Sequence, residues 1–195
     1  MAGGAARRFG GRPKGLATIE GVRIADRVLT ALRDTTDDQV IVANDPRAGS
    51  WFPGERVVAD GTAGVGPLMG LETALDAAGG AAVLVVAWDM PFVTSPLLRA
   101  LRERGGRAGA AAAPMHGAAR WVEPLCAYYP PDALAACRAL LERGERRAAA
   151  LLEAMPGVIT LDDQALASFG DAARLFKSVD SPEDLAALGG NIGPP

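Results

Sequence analysis

Histidine is almost missing from this chain: His116 is the one example in 195 residues. No nucleophile–histidine–acid triad can be assembled around it, and PMHGAARW places it in a predicted surface loop. Cysteine is nearly as scarce. Cys126 and Cys137 are too few for a disulfide framework and lack metal-ligand spacing, so they read as packed thiols. Long apolar runs are absent: the longest, AAVLVVAW (81–88), falls far short of the roughly 20 residues a membrane span needs. The start lacks the apolar stretch of a secretory signal, and a soluble, cytoplasmic protein is expected. Aromatic residues make up 5%, and Trp51, Trp88 and Trp121 are not spaced as a stacking platform. Core or rim packing is their expected place. The formal net charge of −3, with a pI near 5.2, argues against bulk binding to nucleic acid. There is no internal repeat and no linker.

What remains is 49% apolar and 22% charged, enough to build one full core. A single domain over residues 1–190 is expected, with 191–195 as a frayed tail in GGNIGPP. The stripe Val22, Ala25, Val28, Leu29 and Leu32 predicts a helix over 22–34. QVIVAN (39–44) and RVVAD (56–60) read as short strands. GPLMGLETALDAA (66–78) reads as a helix with Pro67 at its first position. AAVLVVAWD (81–89) is the strongest strand signal, of the kind parallel sheets bury on both faces. TSPLLRALRER (94–104) follows as a helix with Ser95 as predicted N-cap. The next predicted elements are strands at 108–115 and 121–129, helices at 131–144 and 146–155, and a strand at 157–162. SPEDLAAL (181–188) closes the series as a helix with a capping box between Ser181 and Asp184. This alternation predicts an α/β fold with a doubly wound, mainly parallel, Rossmann-like sheet. Ligands in such sheets bind beyond the carboxyl ends of the strands. Asn44, Asp60 and Asp89 are therefore the residues to examine.

The chain opens MAGGAARRFGGRPKGL, glycine-rich and basic, with no acid before Glu20. Backbone N–H groups near Gly3 and Gly4 suit phosphate oxygens, because no Cβ blocks close approach, and Arg8 and Lys14 can neutralise them. A basic tail is the plainer alternative. The loop is neither a Walker A motif nor GxGxxG. Asp89, in AWDMPFV (87–93), suits a Mg²⁺ ion, which takes hard oxygen ligands, or caps the following turn. Asp60, in VVADG, reads as a site residue or as a plain Asp-Gly turn. Asp180, in SVDSPEDL (178–185), precedes a helix whose dipole favours a carboxylate in any case.

Taken in order, Met1-Ala2-Gly3-Gly4, Arg8, Gly11-x-x-Lys14-Gly15-Leu16, VIVAN, VVAD, GPLMGL, WDMPFV, PLCAYY, GERR and SVDSPEDL resemble the molybdenum cofactor guanylyltransferases. These form the MobA family of nucleotidyltransferases. The resemblance implies that Ala2, Gly3 and Gly4 hold nucleotide phosphates and that Lys14, with Arg8, neutralises them. It implies that Asn44 and Asp60 contact the nucleotide, that Asp89 holds Mg²⁺, and that Arg146 or Arg147 meets the pterin phosphate. The implied substrates are GTP and Mo-molybdopterin, joined as molybdopterin guanine dinucleotide with release of pyrophosphate. Contact with molybdoenzyme maturation proteins is an implied partnership. Three departures stand out. The family's N-x-N-T-P-E-D is Ser178-Val179-Asp180-Ser181-Pro182-Glu183-Asp184 here, which makes Asp180 a candidate second metal ligand. VIVAN offers Asn44 where the family often has two polar residues. The strand that precedes the AGG loop in the family has no counterpart ahead of Met1, and five to ten further apolar residues upstream are expected. The alternative readings are a cytidylyl- or sugar-phosphate nucleotidyltransferase, or a non-catalytic nucleotide-binding relative. Retention of Lys14 and Asp89 argues against the last.

Overall fold

The computed structural model describes Met1, Phe9 and residues 12–62 and 64–192. A short 3₁₀ turn over Lys14–Leu16 leads into the strands β1 (Thr18–Ile19) and β2 (Val22–Arg23) and the helix α1 (Ile24–Arg33). There follow β3 (Val40–Val42), α2 (Ala48–Trp51), β4 (Arg56–Val58), α3 (Pro67–Ala77), β5 (Val83–Val86) and α4 (Ser95–Ala108). Next come β6 (Ala112–His116), β7 (Trp121–Val122), β8 (Cys126–Tyr129), α5 (Ala133–Glu142), α6 (Ala149–Ala154) and β9 (Ile159–Leu161). The chain closes with α7 (Asp163–Leu166), α8 (Ala172–Leu175), α9 (Pro182–Ala187) and β10 (Gly190–Asn191). No helix among the described residues is long and apolar enough to cross a membrane.

The expected α/β class holds, with a helical layer on each face of the sheet. Side chains of successive strand residues alternate between the two layers. Val86, Ala112, Cys126 and Tyr128 pack with Val28 of α1 and with Leu97, Leu98 and Leu101 of α4. Val85, Ala113, Ala127 and Tyr129 pack with Leu68, Leu71 and Leu75 of α3 and with Cys137 and Leu140 of α5. Both cysteines are free and buried; burial pushes the Cys137 thiol up to about 12, so neither is a poised nucleophile.

Strand direction is more mixed than the alternation suggests. β3 and β4 are parallel, and so are β6 and β9. β8 runs antiparallel to both β5 and β6. The 121–129 segment causes this, because Pro124 cannot donate to a ladder and splits it into β7 and β8. β7 folds back on β6 as a hairpin, and a connection that short returns the chain antiparallel, whereas a parallel neighbour needs a long crossover.

Several element ends differ from expectation. Val22 and Arg23 pair with β1 instead of starting α1. Thr94, not Ser95, is the N-cap of α4, and the Ser95 hydroxyl instead donates to Asp34 at 3.0 Å. Gly190 and Asn191 pair with β1, so the ordered chain reaches further than the expected tail allowed. His116 ends β6, 3.0 Å from Glu123 and stacked on Phe176, and is not a loop residue. Trp88 is buried and stacks on Trp51 with centroids 6.2 Å apart, whereas Trp121 is 54% exposed.

Met1 enters the sheet. Its ammonium donates to the Val86 carbonyl at 2.7 Å and its carbonyl accepts from Trp88 N–H at 3.0 Å. This is the parallel-ladder pattern opposite Ala87. Beyond Met1, a cavity of about 420 Å³ separates β3 from β5. Among the described residues, β3 pairs only with β4 and β5 only with β8.

Candidate active site

Each residue singled out at a strand end lies just past its strand's carboxyl end. Asn44 follows β3, Asp60 follows β4 and Asp89 follows β5. Asn44 and Asp60 form a reciprocal pair: the Asn44 amide donates to Asp60 Oδ2 at 2.8 Å, and Asp60 N–H donates to Asn44 Oδ1 at 2.8 Å. The turn between Asp60 and Gly61 is thus stitched to the neighbouring strand end. Asp60 Oδ1 is buried with no partner among the described residues, and an unpaired buried acceptor costs about 1–3 kcal/mol.

Lys14 is the centre of the site. Its ammonium bridges Asp89 and Asp180, with the Asp180 contact at 2.9 Å. Lys14 and Asp89 side chains are 18% and 14% exposed, while Asp180 is 51% exposed. Burial alone would lower the Lys14 pKa, but the Asp89 charge and hydrogen bonds to both carboxylates outweigh it, and the net shift is upward. Burial likewise opposes ionisation of Asp180, yet hydrogen bonds from Ser178 at 2.5 Å and from Lys14 hold its carboxyl below the usual value. Lys14 thus sits as a cation between two carboxylates.

Local packing explains the arrangement. An ideal Cβ on Gly15 would sit 2.2 Å from Trp88 Cε3, so only glycine lets the turn after Lys14 press on the indole. Trp88 is the residue before Asp89, and the two sides of the ion pair are fixed by one contact. Val179 N–H donates to the Asp89 carbonyl at 3.1 Å, which brings the 178–184 segment beside β5. The capping box forms as expected: Ser181 Oγ accepts from Asp184 N–H at 3.1 Å and donates to Asp184 Oδ2 at 3.0 Å. Asp180 N–H also donates to Asp184, at 3.3 Å, which sets the Asp180 backbone.

Gly66 precedes Pro67 with φ of 120°, and its Cβ would lie 3.1 Å from the Arg146 carbonyl. That carbonyl accepts from Leu68 N–H at 3.2 Å, so the GERR segment is pinned to the start of α3. Arg146 and Arg147 side chains are exposed. Arg147 pairs with Glu145 at 2.9 Å and Glu153 at 3.3 Å, and Arg146 bonds the Glu145 carbonyl at 2.8 Å.

The structure thus brings Lys14, Asp89 and Asp180 together, joins Asn44 to Asp60, and places Arg146 and Arg147 at the mouth of α3. Ala2, Gly3, Gly4 and Arg8 lie outside the described residues. Ser178 and the Val179 amide escaped sequence reasoning, although the Ser-x-Asp spacing that lets a hydroxyl reach the carboxylate was visible. As to a metal, no group of three or more histidine, cysteine or acidic side chains clusters among the described residues. Asp89 and Asp180 nevertheless supply two hard oxygen donors to one point of charge. That donor set fits Mg²⁺, which takes one or two protein carboxylates plus waters and substrate phosphates.

The profile of the MobA-like NTP transferase domain matches residues 1–187. A probable molybdenum cofactor guanylyltransferase of Opitutus terrae is 36% identical over 149 residues, 75% of this chain and 72% of that one. A molybdenum cofactor guanylyltransferase of Pseudomonas putida is 34% identical over 179 residues, covering 90% and 93%. Among solved structures, molybdopterin-guanine dinucleotide biosynthesis protein A of Archaeoglobus fulgidus superposes with a TM-score of 0.79 at 28% identity, over 96% of this chain and 93% of that one. A Thermus thermophilus 2-C-methyl-D-erythritol 4-phosphate cytidylyltransferase shares the fold, with a TM-score of 0.68, at 20% identity over 90% and 92%.

Proposed function

Because this chain belongs to the MobA-like NTP transferase family, we propose that it transfers GMP from GTP to the terminal phosphate of Mo-molybdopterin. The observation that carries the reading is Lys14 held between Asp89 and Asp180 at the carboxyl edge of the sheet. A phosphate oxygen of the pterin attacks the α-phosphorus, a new P–O–P linkage forms, and the α–β bond breaks with its electron pair leaving on pyrophosphate. Such a reaction needs two polyanions held in line and their charge neutralised, without a covalent enzyme intermediate.

Lys14 is positioned to give up its carboxylates and take nucleotide phosphate oxygens. Its raised pKa keeps it charged throughout the physiological range. Asp89 and Asp180 would hold Mg²⁺, whose chemistry when bound is neutralisation of phosphate charge. Ser178 steadies Asp180 in that role. Asp60 Oδ1, unpartnered and fixed through Asn44, accepts from a hydroxyl or N–H of the nucleoside. Arg146 or Arg147, exposed beside α3, receives the pterin phosphate.

The test is pyrophosphate release with Mo-molybdopterin, comparing GTP, CTP and ATP in Mg²⁺. GTP should be preferred, and Asp89→Ala should lower turnover by roughly 10²–10³-fold, the scale for removing one preorganised electrostatic group, with the circular dichroism spectrum unchanged. Near-native turnover of Asp89→Ala, or preference for CTP, overturns the metal role or the guanylyl assignment respectively.

A further inference from the structure

We propose that in the nucleotide-free protein Lys14 is a lock on the metal ligands: its ammonium occupies the divalent cation's place between Asp89 and Asp180, and the cation enters only with the nucleotide. The proposal rests on the reading of Asp89 and Asp180 as the metal carboxylates, and adds an order to their use.

Asp180 has two carboxylate oxygens, and both are held. Ser178 Oγ donates to Oδ2 at 2.5 Å, and Lys14 Nζ donates to Oδ1 at 2.9 Å. On Asp89 it is Oδ2 that meets the same ammonium. One nitrogen therefore holds one oxygen from each carboxylate, the pair that a bridging cation would need. The Lys14 and Asp89 side chains are mostly enclosed. A dication set beside the ammonium there adds like-charge repulsion that water screens poorly.

The carboxylates are fixed and the ammonium is not. Val179 N–H ties the Asp89 carbonyl, Asp180 N–H is tied to Asp184, and Ser178 clamps the Asp180 side chain. Lys14 carries its charge at the end of a flexible stem, while the contact of Gly15 with Trp88 pins the backbone beside it. The ammonium can thus pass from carboxylate to phosphate without moving the ligands it leaves. Lys177 does not replace it, being paired with Asp184 at 3.1 Å.

Charge sets the order. With the ammonium in place, the two carboxylates are half neutralised and their pull on a free dication is weakened. A nucleotide reverses this. Its phosphates draw Lys14 away, both carboxylate oxygens are released, and phosphate oxygens complete the shell that Mg²⁺ prefers. Lysine and cation compete for the same oxygens, and the nucleotide removes the competitor. Cation and nucleotide therefore bind with positive coupling, equal in both directions.

Mn²⁺ is the probe, since the unbound ion is counted directly by electron paramagnetic resonance. Wild-type protein alone should bind Mn²⁺ weakly, and should take it up on addition of GTP beyond what the same GTP binds without protein. Lys14→Met, similar in length and uncharged, should bind Mn²⁺ without nucleotide roughly tenfold more tightly than wild type, within the usual range of coupling between sites. Lys14→Gln repeats the measurement if Lys14→Met does not fold. Lys14→Arg keeps the charge and should stay near wild type. Adding Asp89→Asn to Lys14→Met should abolish the gain. Equal Mn²⁺ affinity of the wild type and the uncharged variants overturns the lock, as does an equal gain in Lys14→Arg; either result leaves the transfer reaction, tested by pyrophosphate release, standing. A gain that persists without the Asp89 carboxylate places the cation elsewhere, and overturns the lock together with the metal role of Asp89.

Discussion

The Met1 ammonium offers a sharp test of the sheet geometry. It sits at the end of the cavity between β3 and β5, in a part-buried position, and donates to the Val86 carbonyl. Burial lowers its pKa from 8.0 to about 6, against a smaller upward pull from Asp89. The unfolded chain therefore binds more protons than the folded chain between about pH 6 and pH 8, and stability rises with pH across that window. The stability is fully present above about pH 8 and is lost as pH falls to about 6. At about 1.4 kcal/mol for each pH unit of that displacement the loss is about 3 kcal/mol, a large part of the ~5–15 kcal/mol that holds a typical domain. For a chain of this size that is a fall in melting temperature of roughly 5–10 °C. Urea unfolding at pH 6, 7 and 8, run in parallel on the Nα-acetylated protein, isolates the effect. Acetylation keeps the N–H donor and removes the charge, so the acetylated chain should show a much flatter profile. Identical pH profiles for the two forms would refute the buried-amine account.

Lys14→Ala should weaken GTP binding far more than guanosine binding, read by calorimetry, and equal losses would remove Lys14 from the phosphate site. The same variant should cost about 1–3 kcal/mol of stability, between the values for exposed and buried pairs, because it leaves Asp89 and Asp180 facing each other. Asp180→Asn should raise the Mg²⁺ concentration for half-maximal activity several-fold, whereas Asp184→Asn should chiefly fray the start of α9 in hydrogen exchange; matching metal titrations would make Asp180 purely structural. Gly15→Ala should lower stability by about 1–3 kcal/mol through overpacking on Trp88, and an unchanged urea midpoint would show that the indole yields freely.

Much of this site was legible before any coordinates. Asp89 and Asp60 could be read because a carboxylate after an apolar run marks the ligand edge of an α/β sheet. Ser181 and Asp184 could be read because a capping box is a local pattern, complete within four residues. What was hidden depended on distant pairing. The bond from Val179 to the Asp89 carbonyl, and the stacking of Trp51 on Trp88, join segments with no periodic relation in sequence. The antiparallel course of β8 was hidden for a different reason: β7 and β8 read as one run, and only Pro124 marked the break. Val22 fitted a helical stripe and was claimed by β1 instead, since pairing with Ile19 outweighed its place in the pattern. The proposed ligand role of Asp60 gains its support from an orphaned oxygen, a property of three-dimensional burial alone.

The Lys14–Asp180 contact spans 166 residues, and that span has a temporal meaning. At about 5–20 residues per second, a ribosome makes Asp180 roughly 8–33 s after Lys14. During that interval the lysine can meet Asp89 but not its second carboxylate, and β1 waits for β10. The amino-terminal half can condense early around α1, α3 and β5. The charge arrangement of the pocket, by contrast, is finished only when the 178–184 segment has left the exit tunnel. A nascent chain therefore lacks the second carboxylate beside Lys14 until Asp180 has emerged, and a chain cut short after α8 would fold around a pocket that lacks one anionic wall.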